Sequence, residues 1–349
     1  MMPSVAIVIL NWNGRHYLTQ FLPSVLASNY PNYTVYVADN ASTDNSVEWL
    51  RAHYPDQVRI VQNTNNVGFA EGYNQALQDI EADYWVLLNS DVQVSPDWID
   101  PIIVLMHACP DIAACQPKIR CFDDPQRLEH AGAAGGWIDA LGYPFCRGRI
   151  LDEREIDNGQ YDDTAEVAWA TGAALFIRPE IYKQLGGFDS SFFAHMEEID
   201  LCWRIRRMGY RIMTCPQSVV WHVGGGTLQK SSPFKTYLNF RNNWTMLLKN
   251  LPWTEAIWVL PLRLLLDIVA LLAFVAQRDL SNAKAPLRAH AHIWRRLPNT
   301  LRQRQQTNLA IAQYRQAPDR SHAQGYYAGS IVFDFFARKK RHFSQLTTI

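Results

Sequence analysis

The sequence predicts an α/β fold: a mostly parallel central sheet flanked by helices, followed by a helical C-terminal extension. Three observations carry the prediction. Four apolar runs, Ser4–Leu10, Tyr33–Ala38, Val58–Gln62 and Tyr84–Leu88, alternate with segments of helical periodicity, the rhythm of a parallel sheet with right-handed crossovers. Each run closes on polar or glycine-rich residues, which places them at the carboxyl edge of the sheet, where open α/β sheets bind ligands. The charge is split: residues 1–229 carry 15 Lys+Arg and 28 Asp+Glu, and residues 230–349 carry 18 and 5, although the 349-residue chain is formally neutral.

In chain order, Ser4–Leu10 ends at Asn11-Trp12-Asn13-Gly14, and a helix from about Tyr17 to Ala27 comes after it. Tyr33–Ala38 closes on Asp39, and Asp44 is placed to cap a helix through Val47, Leu50 and Arg51. Val58–Gln62 leads into the Asn- and Gly-rich segment Asn65–Asn74 and a helix to about Ile80. Tyr84–Leu88 is apolar at every position, as a strand buried on both faces requires, and stops at Asn89-Ser90-Asp91. A helix over 97–108 and a strand over 115–120 come next. Residues 121–165 read as a long loop region or a small insertion, and loops of that length usually carry function. Strand character resumes over 167–177, broken at Ala170-Thr171-Gly172. A helix over 178–185, a helix over 197–208 closed by Gly209, and short strands at 211–215 and 219–221 complete this part.

Residues 256–276 are the most apolar stretch, long enough at ~20 residues to span a bilayer. Arg263 and Asp267 interrupt it, four apart, and can pair on one helix face. A charge at the bilayer centre is costly, which favours a helix lying in the interface or packed on the domain over a span. Arg295, Arg296, Arg302, Arg304 and the run Arg338-Lys339-Lys340-Arg341 suit an anionic surface. Phospholipid headgroups are the first candidate; nucleic acid is the other, but no recognised motif supports it. The six cysteines form no C-x-x-C pair, which argues against a zinc ribbon or redox motif. They read as packing residues in a reducing, cytosolic setting, in keeping with an N-terminal apolar run too short for a signal peptide. No G-x-G-x-x-G follows the first strand, which disfavours a dinucleotide fold.

Chemistry converges on the strand ends. Asp39 can accept from a base N–H or a ribose hydroxyl. The Asn66–Asn74 loop joins glycines for close backbone approach to a helix N-terminus that favours anions. Asp91 either caps a turn or holds a divalent cation through oxygen. Farther on, Glu197, Glu198 and Asp200 crowd a helix start. One acid suffices for the helix dipole, and Glu198 and Asp200 cannot face the same way, so one is structural and another is a candidate general base. His222, between a short strand and Gly224-Gly225-Gly226, is a structural imidazole or the nitrogen that completes an oxygen-rich metal shell.

These pieces occur in the order of a known family. Val-Ile-Leu-Asn-Trp-Asn-Gly (8–14), Val-Ala-Asp-Asn-Ala-Ser-Thr-Asp (37–44), Asn-Asn-Val-Gly-Phe-Ala-Glu-Gly-Tyr-Asn (65–74), Leu-Asn-Ser-Asp (88–91), Ala-Thr-Gly-Ala (170–173), Gly-Gly-Phe-Asp (186–189), Glu-Glu-Ile-Asp-Leu-Cys-Trp-Arg (197–204) and His-Val-Gly-Gly-Gly-Thr (222–227) are the matching segments. Together they make the chain resemble the inverting, metal-dependent glycosyltransferases of family 2, with the Rossmann-like GT-A fold, and in particular their rhamnosyltransferase-like branch. The resemblance implies a catalytic domain over 1–230, with 1–95 its nucleotide-binding half and 96–230 its acceptor half, and a membrane-associating helical region over 231–349. It implies donor contacts from Asn11, Asp39, Asn66, Gly68, Asn74 and Ser90, and a divalent cation, Mn2+ or Mg2+, on Asp91 and His222. Glu198 matches the family's base, and Thr171, Gly172, Glu197 and Asp200 fall on the acceptor side.

Two departures from the family pattern matter. Asn89 stands where many members carry the first Asp of D-x-D, so Asp91 is the one carboxylate expected from this element on the metal, and His222 counts for more. Glu198 replaces the commoner Asp and is one methylene longer. The Gln-x-x-Arg-Trp element of the processive synthases is missing, which implies addition of one or a few sugars. The implied function is transfer of a sugar, rhamnose first, from a dTDP- or UDP-linked donor to a glycan or polyprenyl-linked acceptor in cell-surface polysaccharide synthesis. The implied place is the inner face of the cell membrane, held peripherally by its anionic surface, with no nucleic-acid partner. The alternative is a non-enzymatic, membrane-docking nucleotide-binding module of the same fold.

Overall fold

A computed structural model describes residues 2–224 and 232–346. Its N-terminal half runs β1 (Val5–Asn11), α1 (Arg15–Leu26), β2 (Tyr33–Asp39), α2 (Ser46–His53), β3 (Val58–Gln62), α3 (Gly68–Ala76), β4 (Tyr84–Asn89), β5 (Val92–Val94), α4 (Asp100–Ala108) and β6 (Ile112–Cys121). β3, β2, β1 and β4 lie side by side and are parallel throughout. Along β1, Val5, Ile7 and Ile9 pack into one core layer and Ala6 and Val8 into the other. That two-sided burial is why the run carries no polar residue until Asn11. Asn45 rather than Asp44 occupies the N-cap of α2, in a left-handed conformation. Asp44 still takes the Ser46 amide at 3.2 Å, and its other oxygen takes the Arg15 amide at 2.8 Å, so one carboxylate serves the starts of two helices.

Residues 121–165 are an insertion. β7 (Gly136–Asp139), β8 (Pro144–Cys146), β9 (Arg149–Ile150) and β10 (Glu153–Arg154) form an antiparallel meander in a second, five-stranded sheet. The chain then returns to the main sheet through β11 (Ala165–Glu166) and β12 (Ala174–Ile177), succeeded by α5 (Pro179–Gln184), α6 (Glu197–Arg207) and β13 (Arg211–His222). β12 enters antiparallel between β4 and β6, so the complete sheet is mixed, in the order β11-β13-β6-β12-β4-β1-β2-β3 with β5 on β13. The two short strands expected over 211–221 are one strand, β13. A register shift against β6 between Cys215 and Val219 absorbs the polar Gln217-Ser218 that looked like a break.

The C-terminal region holds α7 (Pro233–Asn250), α8 (Trp253–Ala276), α9 (Leu280–Tyr314), β14 (Tyr326–Tyr327) and α10 (Ile331–Phe336). The expected boundary at residue 230 and residues 225–227 of the glycine-rich motif lie outside the described residues. This C-terminal region is built into the fold that precedes it. β14 pairs with β7 and completes the small sheet. The buried Arg206 of α6 donates to the carbonyls of Arg320 and Gln324, and the Phe343 amide donates to Glu155 at 2.8 Å. Five of the six cysteines are buried packing residues.

Arg263 and Asp267 share one face of α8 but turn to different partners. Arg263 donates to the Leu141 carbonyl at 3.1 Å and lies over the Tyr143 ring, while Asp267 accepts from Trp244 at 2.6 Å and from His290 at 2.9 Å. Both charges therefore point into the protein, and the opposite face of α8 is apolar and exposed. In the tail run, Arg338 and Lys340 pair with Asp334, so that cluster is partly neutralised.

Candidate active site

The register of the strands assembles the site. Asn11 is the last residue of β1 and sits opposite Asp39 of β2. Its buried amide donates to Asp39 and to the Ser42 hydroxyl, both at 3.1 Å, and the Ser42 amide holds the other Asp39 oxygen at 2.9 Å. Asp39 is thereby fixed at the sheet edge. Ser90 flanks the same corner: a Cβ on Gly14 would lie 2.5 Å from Asn11 Oδ1 and 3.4 Å from Ser90 Oγ, so this turn admits only glycine. Asn40, which the sequence did not single out, ties the neighbouring loop by donating to Asn66 and to the Gly68 carbonyl, both at 3.0 Å.

Two expected donor features serve the fold. The amides at the start of α3 are already occupied, because Phe193 O accepts from Phe69 N at 2.6 Å and Ala70 N at 3.3 Å while Asn66 takes the Gly68 amide at 3.0 Å. That helix N-terminus is closed to a phosphate by the chain itself. Asn74, one helical turn and more along α3, bridges to the 186–189 turn instead, donating to Phe188 O at 2.8 Å and accepting from Tyr182 at 2.7 Å.

The antiparallel ladder of β13 with β5 sets His222 across from Val92, next to Asp91. His222 Nε2 lies 3.2 Å from Asp91 Oδ1 and 3.4 Å from the Asn89 amide, and its Nδ1 lies 3.4 Å from Glu129 Oε2. All three charged side chains are buried. Burial alone would push the imidazole pKa down, but the two carboxylates outweigh it and hold it well above its usual value. Burial likewise works against Asp91 and Glu129. The facing His222 reverses it, with the Ala131 amide helping on Glu129, whose pKa falls to about 2.

Glu129 is the residue that sequence reasoning missed. It sits in the insertion, whose length signalled function, but nothing in the sequence chose it among the acids there. Among the described residues no group of three or more His, Cys, Asp or Glu is spaced as a complete metal cage. The Asp91–His222 pair nevertheless suits two neighbouring positions on one ion. An octahedral cation bound at about 2.1–2.3 Å sets adjacent donors about 3.0–3.3 Å apart, and such sites complete themselves with water and phosphate oxygens.

α6 begins after a strained turn in which Phe193, His195 and Met196 all have positive φ. Asn242 of α7, itself buried, holds that turn by donating to the carbonyls of Phe192, Ala194 and His195 at 3.0, 2.8 and 2.7 Å. The turn aims Glu198 at the Thr171–Gly172 loop, where a Cβ on Gly172 would lie 3.8 Å from Glu198 Cβ. Ala173 O accepts from the Asn89 amide at 3.0 Å, which joins this loop to the end of β4. Glu198 as a residue is half-buried, but its Oε2 is closed off and unpartnered. Burial raises its pKa to about 7, against the opposing pull of nearby amides including that of Gly172. Burial and the charge of Glu198 push Glu197 well above the carboxylate range. His195, also enclosed, is lowered to about 4 by burial and by Lys235.

Thr171 is buried, its amide donating to Gln116 at 2.9 Å and its hydroxyl accepting from Ala173 at 3.1 Å, so it shapes the loop. Asp200 does not reach the cleft. It accepts from Arg204, Lys249 and Asn250 at 2.9, 3.0 and 2.8 Å and locks α6 to α7. Of Glu198 and Asp200, Glu198 is thus the one that faces the Thr171–Gly172 loop. Asn242→Ala is expected to leave the Ala194 and His195 carbonyls without their donor, while Phe192 O keeps Arg241, lowering unfolding free energy in urea by about 1–3 kcal/mol and slowing turnover without weakening nucleotide binding.

Comparison with known proteins bears on the family and the fold. The Glycosyl transferase family 2 model matches residues 4–171. The Mycobacterium tuberculosis N-acetylglucosaminyl-diphospho-decaprenol L-rhamnosyltransferase is 26% identical over 230 residues, covering 62% of this chain and 75% of that protein. The O-antigen biosynthesis protein RfbC of Myxococcus xanthus is 26% identical over 226 residues, 63% of this chain and 17% of its own. Among solved structures, S. aureus TarS 1–349 in complex with UDP-GlcNAc superposes with a TM-score of 0.56 at 16% identity, covering 93% of each chain. GalNAc-T7 with UDP, GalNAc and Mn2+ gives 0.51 at 16% identity, over 63% of this chain and 43% of its own. These structural likenesses show the fold, GT-A.

Proposed function

We propose, from the premise that this chain is a family 2 glycosyltransferase, that it moves rhamnose from a dTDP- or UDP-linked donor to a glycan or polyprenyl-linked acceptor, with inversion, at a membrane surface. The observation that carries the reading is the meeting, at one sheet edge, of Asp39, the Asp91–His222 pair and the Glu198 carboxyl with its pKa near 7. Asp39, fixed by Asn11 and Ser42, offers an acceptor to the donor's base or ribose. Glu198 takes the proton from the acceptor hydroxyl as that oxygen attacks the anomeric carbon and the nucleoside diphosphate leaves. Asp91 and His222 would hold a divalent cation, Mn2+ or Mg2+, whose chemistry is to offset charge on the departing diphosphate. The choice of rhamnose and a lipid-linked acceptor rests on the Mycobacterium tuberculosis relative, and the membrane surface rests on the exposed apolar face of α8.

A panel of nucleotide-sugars with and without Mn2+ or Mg2+ tests the reading, with released nucleotide as the readout. Metal-dependent turnover selective for dTDP-rhamnose is the expected result. Selectivity for another sugar would overturn the donor assignment, and full turnover after exhaustive chelation would overturn the role of the cation.

A further inference from the structure

We propose that α8 and α9 together form a bilayer seat in which α9 supplies a row of side chains that bind lipid phosphates. The inference rests on the membrane reading above and names the lipid chemistry and the residues that meet it. On α9, Leu280, Leu287, Trp294 and Leu301 recur every seven residues and are 61, 61, 60 and 37% exposed. Beside them runs a second exposed row, Lys284, Arg288, Arg295 and Arg302. At about 100° per residue these four fall within roughly 40° of one another on the helix surface, next to the apolar row. The face roughly opposite the basic row is the buried one, with Ala289, Ile293, Thr300 and Ile311.

His290 lies between the buried face and the apolar row, and it bonds Asp267 of α8 at 2.9 Å. α8 therefore flanks α9 on the side of the apolar row. Since Arg263 and Asp267 turn inward, α8 presents Ile257, Leu265, Val269 and Leu272 outward, all well exposed. The two helices make a continuous apolar surface edged by cations. Exposed Trp253, Trp258 and Trp294 are the residue type that settles at a bilayer interface. Arg304 is not part of the row, because it is buried and donates to Leu248 O.

Charge decides the occupant. α9 carries six Lys and Arg and no Asp or Glu in 35 residues. A second copy seated α9 on α9 would set like charges together, whereas the phosphates of an anionic leaflet neutralise them. α8 would lie among the acyl chains and the basic row of α9 along the headgroups.

Flotation of the full chain with vesicles of phosphatidylcholine alone, or mixed in equal parts with phosphatidylglycerol, tests this. Wild type is expected to bind the mixed vesicles far more tightly. Neutralising Lys284, Arg288, Arg295 and Arg302 to Gln is expected to weaken that binding about fivefold per residue, several hundredfold together, with donor hydrolysis unchanged. Leu287→Ser with Leu301→Ser is expected to weaken binding to both vesicles. If the Gln variant binds mixed vesicles as tightly as wild type, the phosphate row is wrong while the membrane reading stands. If wild type binds neither vesicle, the membrane reading itself falls. If free phosphate in millimolar excess releases the protein completely, the site is one for soluble anions. A concentration-dependent dimer that Leu287→Ser with Leu301→Ser abolishes, without vesicle binding, would make the occupant a second copy.

Discussion

Glu198→Gln is expected to lower turnover by roughly 10²–10⁴-fold while leaving a folded protein that is no less stable than wild type at pH 8. The two effects have one cause. The folded protein holds the Glu198 proton up to about pH 7 because its carboxyl is enclosed, whereas an unfolded chain releases it near 4.3. The group's favourable contribution to stability is therefore full below about 4.3 and is lost as pH rises through 7. At pH 8 the native state carries an enclosed, ionised carboxylate next to Glu197, and the glutamine removes that charge without changing the shape. As a base, Glu198 must be ionised, so wild-type turnover is expected to climb with pH and level off above about 7. The glutamine variant should lose that limb along with its activity. A turnover–pH profile and thermal unfolding at pH 5 and pH 8 check both halves. Near-wild-type transfer by a folded Glu198→Gln protein would sink the assignment.

Asp91→Asn is expected to be comparably damaging, by on the order of 10³-fold in turnover, the equivalent of several kcal/mol of charge stabilisation. With Asn89 in place of an acid, no second carboxylate from β4 stands in for Asp91. The same substitution should weaken Mn2+ binding measured calorimetrically in the absence of any donor. Glu129→Gln should weaken it more mildly, about 10–100-fold, since Glu129 orients His222 from its far side, as carboxylates behind metal-binding histidines do. Unchanged Mn2+ affinity in Asp91→Asn would remove Asp91 from the cation site.

How much could be read from sequence depended on the physics of each element. The four parallel strands were legible because burial on both faces forbids polar residues until the strand leaves the sheet, so Asn11, Asp39 and Asn89 marked their own positions. The insertion was legible only as a long irregular segment, and its strands were not legible. Its strands are two to four residues long, too short for a periodic signal, and one is completed by β14 from the far end of the chain. Glu129 matters only through the fold that brings its loop against His222. Asn74 and Asp200 were grouped with the site by their place in motifs, whereas their partners, Phe188, Tyr182, Lys249 and Asn250, make them braces between elements. For α8 the spacing of Arg263 and Asp267 already marked one charged face on an apolar helix, but their expected pairing was wrong, because each finds a nearer partner in the fold, Leu141 for Arg263 and Trp244 and His290 for Asp267.

The pairing of β7 with β14 has a consequence for how the chain acquires its structure. Ile138 cannot meet Tyr326 until the ribosome has made both. At about 5–20 residues per second that interval is on the order of ten seconds or more. Throughout it the edge of β7 stays open, and Trp137 and Phe145 lack Phe343, their eventual aromatic neighbour. The N-terminal parallel strands and the local hairpins of the insertion can form as they emerge, but the small sheet is complete only when the tail arrives. A chain shortened at its C-terminus would leave that wait without an end and an unpaired, aromatic strand edge ready to aggregate.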